Sequence, residues 1–274
     1  MKLFFRKYGN HGPRLIILHG LFGMSDNWRG FAKKLSAVCQ IYIPDIRNHG
    51  NSPHSKEHNY KILAQDIKQF MSESEMKTAI ILGHSMGGKT AMQLTADYPE
   101  LVEKLIIVDI APRAYLKPKL LLGTKTNQER FFEYLLKTEN KLALFESRNK
   151  LNRHLEESFS TMINKYIIKK NIRRKAQGGY EFKFNPKNLY RQMDKIMAAP
   201  EILPGKFKKD VLFIKGEKSD YIQPADITVI RKLYPNAQIN EIKGSGHMIH
   251  IDSPIQFPEV VSRFIENSEF KIRN

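Results

Sequence analysis

The sequence predicts an α/β architecture: a mostly parallel central sheet flanked by helices, with a mainly helical segment inserted into it. Three observations carry that expectation. Short apolar runs that end in Gly, Asp or Ser alternate with helical patterns, the rhythm of strands joined by crossover helices. One run leads through a glycine-bracketed serine straight into a helical pattern. The rhythm then stops after Asp109-Ile110-Ala111-Pro112 and resumes only at Val211, roughly a hundred residues later, too long a gap for a structureless loop.

Taken in order, the strand candidates are Leu15–Leu18, Ile41–Ile43, Ala79–Leu82, Leu105–Val108, Val211–Ile214 and Ala237–Ile242. Lys2–Tyr8 reads as a further, antiparallel edge strand. Helical patterns cover Asn27–Leu35, Ile62–Met71, Lys89–Asp97 and the stretch near Phe257–Glu266, and Tyr98-Pro99 supplies a normal stop for the third. Residues 1–112 and 210–274 are expected to form the sheet domain, and 113–209 a helical lid. Within the lid, Gly178-Gly179 followed by Tyr180, Phe182 and Phe184 alternating with charges reads as a brief extended stretch. Phe131, Phe132, Tyr134, Phe145, Phe159 and Tyr166 recur mostly at helical spacing and are expected to build the lid's core and line a pocket.

A chain of 274 residues can bury a sizeable core, and its 41% hydrophobic share is that of a globular protein. The opening MKLFFRKYGN is too soon interrupted by Arg6 and Lys7 for a secretory signal, and no run reaches membrane-spanning length. The single cysteine, Cys39, has no internal partner and reads as a small buried hydrophobe. A reducing cytoplasm is therefore the expected compartment. The net charge of +17 is unevenly placed: residues 113–209 hold 23 Lys and Arg against 9 Asp and Glu, a local excess of 14 positive charges. Such an excess is compatible with nucleic acid or an anionic surface, yet clustered charge is most often a solvated face.

The chemistry concentrates in four loops. Gly83-His84-Ser85-Met86-Gly87, between a strand and a helix, has the strand–turn–helix setting that lifts a serine hydroxyl above a sheet edge. Ser85 is the expected nucleophile. His19-Gly20-Leu21-Phe22-Gly23 follows the strand Leu15–Leu18. An acyl-transfer site needs two backbone N–H groups aimed at the developing oxyanion; one is expected from Met86, the other from Leu21 or Phe22, with Leu21 preferred. A serine hydroxyl needs a base with a pKa near 7. Of nine histidines, His247 in Gly244-Ser245-Gly246-His247 fits the order Ser…Asp…His. His250 reads as a packing residue, and His11, His54, His58 and His154 as solvent-facing. Two carboxylates are candidates for the acid that orients His247: Asp220, just past the strand Val211–Ile214, and Asp109, at the end of Leu105–Val108. Asp220 is preferred, because an acid on the loop before the histidine's strand fits the chain order better, and Asp109 stays open as the alternative. The loop Asp45-Ile46-Arg47-Asn48-His49-Gly50-Asn51-Ser52-Pro53 is turn chemistry, with Asp45 and Arg47 able to pair and His49 placed for packing or hydrogen bonding. No cluster has metal-ligand spacing and no phosphate-cradling glycine loop occurs, so neither metal nor cofactor is expected.

Together, HGLFG at 19–23, DIRNHGNSP at 45–53, GHSMGGK at 83–89, VDIAP at 108–112 and GSGHMIH at 244–250 resemble the YbfF-type bacterial esterases. These are a branch of the α/β-hydrolase superfamily, similar to the mitochondrial abhydrolase-domain serine hydrolases. The resemblance spans nearly the whole sheet domain and is vague across the lid. It implies the α/β-hydrolase fold and a carboxylesterase or thioesterase acting on small to medium acyl chains, acyl-CoA included. Ser85 and His247 match the family's nucleophile and base. In some members the acid stands at the position of Asp109 rather than Asp220.

The function expected is hydrolysis of a small-molecule acyl ester or thioester through an acyl-Ser85 intermediate, by a monomer or homodimer. Carbon–carbon bond hydrolysis and perhydrolysis use a similar triad and stay open. A module that binds nucleic acid or another anion through the basic segment is the competing class, and it leaves a complete triad unexplained. Arg173, Arg174 and Lys175 are the lid cations expected to meet anionic substrate groups at the pocket mouth.

Overall fold

The computed structural model describes residues 1–115, 127–158 and 168–266. Seven strands make its main sheet: β1 (Phe5–Tyr8), β2 (Arg14–Leu18), β3 (Gln40–Pro44), β4 (Ala79–His84), β5 (Val102–Val108), β8 (Val211–Gly216) and β9 (Ala237–Ile242). Their spatial order is β1-β3-β2-β4-β5-β8-β9. β1 pairs antiparallel with β3, and every other pair in the sheet is parallel. All six apolar runs and the edge strand read from the sequence are therefore strands.

The strands are nearly continuous in apolar residues because both sheet faces are covered. On β2, Ile16 and Leu18 enter the core beneath α2 (Tyr60–Glu73) and α3 (Met86–Asp97). Leu15 and Ile17 enter the opposite core, beneath α1 (Arg29–Leu35) and the C-terminal helix Gln256–Glu266. Successive side chains point to opposite faces, so each face needs its own apolar set. A helix at Pro224–Leu233, opened by Pro at its first turn, joins β8 to β9 and is not evident in the sequence pattern.

Between β5 and β8 lie helices at Asn127–Leu142, Arg148–Ser158, Pro186–Arg191 and Met193–Met197. A two-stranded hairpin accompanies them, β6 (Ile172–Arg174) with β7 (Tyr180–Phe182), turning at Gly178-Gly179. Phe132, fully buried, packs with Phe22 and Tyr190, and Phe22 also meets Phe131 and Phe184. These aromatics thus join the segment between β5 and β8 to the loop after β2. Phe159 and Tyr166 lie outside the described residues. Among the described residues no helix is long and apolar enough to cross a membrane.

Candidate active site

All the chemistry-bearing loops emerge at the carboxyl ends of the parallel strands, where open α/β sheets place their sites. β4 is buried along its whole length and leads into Ser85, whose backbone stands at φ 54°, ψ −120°. A non-glycine residue held there is strained, and the surroundings must over-determine it. They do so by close approach. A Cβ on Gly83 would lie 2.3 Å from the Gly87 carbonyl oxygen, and one on Gly87 only 2.1 Å from the Leu18 oxygen. Glycine at both positions lets strand, turn and helix nest. The Ser85 N–H donates to the Val108 oxygen at 3.1 Å, tying the turn to β5.

The register of β4 against β5 pairs His84 with Val108, so Ser85 and Asp109 are neighbours at adjacent strand ends. Asp109 also has positive φ, 52°. Its carboxylate is fully buried and accepts the Gly216 N–H at Oδ1 (3.0 Å) and the Ser219 hydroxyl at Oδ2. Oδ2 also accepts His247 Nδ1–H at 2.7 Å. Asp220, the acid preferred from chain order, lies on the pocket wall with Ser85 and makes no hydrogen bond to His247 among the described residues. The carboxylate that faces the imidazole is Asp109. The physical reason is position: Asp109, at positive φ on the strand beside Ser85, gives its carboxylate to Gly216, Ser219 and His247, while Asp220 lines the pocket.

His247 sits between Tyr221, stacked at 3.9 Å and 16°, and His84, at 4.7 Å. His84 Nε2–H donates to the His247 carbonyl at 2.8 Å, fixing the loop that carries His247. With Nδ1–H given to Asp109, Nε2 of His247 is left to accept a proton. Burial, with His247 and His250 close by, holds the His84 pKa well below its usual range.

The loop after β2 separates the two oxyanion candidates. The Phe22 N–H donates to His49 Nε2 at 3.1 Å, and His49 in turn donates Nδ1–H to the Arg47 oxygen at 3.0 Å. Phe22 is therefore spent. The N–H groups of Leu21 and Met86 have no acceptor among the described residues, and both residues line the pocket. Met86 is the first residue of α3, where N–H groups lack intrahelical acceptors.

His49 belongs to a buried cluster with His19 and His58, against the expectation that His58 faces solvent. Burial is the largest cause of the lowered His58 pKa, about 3. In the same loop, Asp45 does not pair with Arg47. Its carboxylate accepts the N–H groups of Ser25 (2.6 Å) and Asn51 (2.8 Å). Arg47 instead forks onto Asp66 of α2 at 2.5 and 2.8 Å. The loop is pinned to itself through Asn51 and to its neighbours through Ser25 and Asp66. His250 stacks on Trp28 at 4.3 Å and 12°, as a packing residue should.

A cavity of about 240 Å³ opens beside Ser85. Leu21, Met86, Ile110, Ile196 and Met197 make its apolar wall, with Tyr60, Tyr115 and Tyr221 around it. Its cations are Lys89 and Arg113, not the triplet at 173–175, where Arg173 and Arg174 are exposed on β6 and Arg173 pairs with Glu181 at 2.7 Å. Phe131, Phe132, Tyr134 and Phe145, expected to line the pocket, pack into the core and stay off this wall. Lys89, Tyr221 and Ser219 do not stand out in the sequence. The one signal for Lys89 is its place four residues after Ser85, as the sole charge of its helix before Asp97. No group of three or more His, Cys, Asp or Glu able to hold a metal occurs among the described residues.

Residues 13–254, nearly the full length of the chain, match the α/β hydrolase fold family. The chain belongs to that family. It is 34% identical over 257 residues to a Haemophilus influenzae protein whose name places it among esterases and lipases, covering 93% of this chain and 84% of that one. It is 31% identical over 255 residues to the sn-1-specific diacylglycerol lipase ABHD11 of Mus musculus, covering 92% and 81%. Among solved structures, a marine microorganism esterase superimposes with TM-score 0.87 at 35% identity, covering 96% of this chain and 99% of that one. This α/β hydrolase is of the esterase/lipase type.

Proposed function

We propose that this hydrolase cleaves small carboxylic esters and thioesters through an acyl-Ser85 intermediate, with His247 as base and Asp109 as its orienting acid. The observation that carries the proposal is the 2.7 Å bond from His247 Nδ1–H to a buried carboxylate one strand from the strained Ser85. That bond sets the tautomer. The imidazole's free Nε2 takes the hydroxyl proton as Ser85 Oγ attacks the carbonyl carbon, and Asp109 stabilises the imidazolium that forms. The carbonyl oxygen becomes an oxyanion and accepts the N–H groups of Leu21 and Met86. Collapse of the tetrahedral species breaks the ester or thioester bond, and the leaving alcohol or thiol takes the proton from His247. Water then attacks the acyl-serine with His247 again as base, freeing the carboxylic acid and restoring Ser85.

The cavity supports small acyl groups. At about 240 Å³ it lies below the ~300–1,000 Å³ of pockets that enclose drug-sized ligands. On this reading the described residues between β5 and β8 act as a lid on the sheet domain, and Ile196 and Met197 supply the lid's part of the wall.

The test is chemical. The protein should react with a fluorophosphonate probe and hydrolyse p-nitrophenyl butyrate. Ser85→Ala should remove both while leaving the circular dichroism spectrum unchanged. Near-normal turnover by Ser85→Ala would overturn the mechanism.

A further inference from the structure

Lys89 is the charge that the hydrolytic mechanism does not use. It lies one turn along α3 from Ser85, its own N–H bonded to the Ser85 oxygen at 3.1 Å. It is 2% exposed, and lysines this buried are almost always paired with a carboxylate. Among the described residues its partners are neutral. Nζ donates to the carbonyl oxygens of Met197 (3.1 Å) and Ala198 (2.6 Å) and stands 4.6 Å from the Tyr115 ring centre and 5.6 Å from that of Tyr60. An ammonium carries three donors and no acceptor; two are spent on the lid and one is left, in a residue that lines the pocket beside Ser85. Arg113 on the same wall has its counterion, Asp226, at 3.0 Å.

We propose that the missing counterion of Lys89 is part of the substrate: a carboxylate set a few bonds from the scissile carbonyl, making Lys89 a specificity-determining residue. The preferred substrates are then half-esters, or half-thioesters, of short dicarboxylic acids, or esters of short hydroxy acids. The proposal rests on the acyl-Ser85 reading and narrows its substrate class. Little water screens an ion pair in an apolar, tyrosine-walled cavity, and an anion that pairs Lys89 relieves the cost of leaving a buried charge uncompensated.

The groups facing Lys89 are Tyr60 from α2 and Arg113 and Tyr115 from the segment after β5. Asp220 and Tyr221 complete the charged and titratable wall. Burial first, then Arg113, pushes the Lys89 pKa down to about 7. A bound carboxylate opposes both effects and favours the charged form. Preference for the anionic substrate is therefore strongest below pH 7 and fades as pH rises past it.

The test pairs esters of matched length. Monoethyl glutarate against ethyl valerate places the carboxylate on the acyl side. Butyryloxyacetate against propyl butyrate places it on the alcohol side. At pH 6.5, kcat/KM should favour the charged member of one pair at least tenfold, and that pair identifies the side. The ratio should shrink toward pH 8.5, and any pH dependence of the steps that both substrates share cancels in it. Lys89→Met should reduce the ratio at least tenfold and flatten its pH dependence, and Lys89→Arg should restore preference without the pH dependence. Free glutarate should inhibit wild-type hydrolysis of ethyl valerate more strongly at pH 6.5 than at 8.5, a measurement independent of whether the variants fold. Ser85-dependent hydrolysis of the neutral esters with no preference in either pair would overturn the proposal, as would a preference that survives Lys89→Met. Absence of Ser85-dependent turnover on every ester would instead overturn the acyl-serine reading beneath it.

Discussion

Exchanging Asp109 for Asn removes one charge at constant shape, in a carboxylate whose three hydrogen bonds are all accounted for. They come from Gly216 N–H, Ser219 Oγ–H and His247 Nδ1–H. An amide keeps one acceptor oxygen and gains an N–H2. If the oxygen stays with Gly216, the amide donor faces His247 Nδ1 and drives the ring proton to Nε2, the atom that must be free to accept from Ser85. The charge is lost as well. A carboxylate and an imidazolium with charge centres about 4 Å apart attract by roughly 4 kcal/mol at an effective dielectric of 20, or about three powers of ten in rate. Wrong tautomer and lost charge together cost about 10⁴ in kcat in the serine protease case. The expected loss for Asp109→Asn is therefore roughly 10³–10⁴ in kcat on p-nitrophenyl butyrate, with KM little changed. Asp220→Asn, which touches the pocket but not the imidazole, should cost less than about tenfold. Both variants should be checked for native thermal unfolding before rates are compared. If Asp220→Asn proves the more damaging, the assignment from geometry is wrong and the chain-order preference for Asp220 is right.

Three further outcomes are expected from particular contacts. Gly87→Ala places a methyl 2.1 Å from the Leu18 carbonyl oxygen, a backbone atom that cannot swing aside. It should lower stability by about 3 kcal/mol or more, read as a Tm drop of roughly 6–12 °C, and an unchanged Tm would contradict the close nesting of strand and helix. Below pH 6.5 the protein should lose stability. The buried His58 is neutral in the fold, with a pKa of about 3 against an unfolded value of 6.5. Its stabilising contribution is complete above 6.5 and disappears as pH falls from there toward 3, by about 1.4 kcal/mol per pH unit. Urea titrations of wild type and a His58→Gln variant between pH 7 and 4.5 should therefore converge as pH falls. Parallel curves would mean that His58 is protonated in the fold. Finally, the excess of 14 positive charges over residues 113–209 acts largely through solvent, where salt screens over about 8–10 Å. The kcat/KM for an acyl-CoA should fall between about 50 and 500 mM salt, by roughly tenfold, while that for a neutral ester of equal acyl length stays level. Equal slopes would remove the lid's surface charge from substrate choice.

Much of this protein is legible without coordinates because the determinants are local. A parallel strand buried on both faces must be apolar throughout, so β2 to β5 and β8 stand out as runs. A tight strand–turn–helix junction needs small residues at fixed offsets, so Gly83, Ser85 and Gly87 announce the turn. The late Gly-rich loop singles out His247 by chain order alone. The tertiary structure decides between residues of the same type, and those choices depend on contacts far apart in the chain. Asp109 and Asp220 both end or follow a strand at the same sheet edge. Only the register of β4 on β5, the left-handed backbone at 109 and the return of the chain at 247 show which carboxylate meets the imidazole. Leu21 and Phe22 are adjacent and equally placed in the sequence, until His49, 27 residues on, takes the Phe22 N–H. His58 looks solvated among Ser, Lys, Glu and Asn, yet folds under the site beside His49. Lys89 reads as one more surface lysine in a basic chain. Its burial against the carbonyls of Met197 and Ala198, more than a hundred residues away, makes it a pocket cation. Patterns of polarity specify which elements form, because burial and turn geometry act residue by residue. Which of two like groups reaches the reacting atoms depends on how those elements dock, and that is written only in three dimensions.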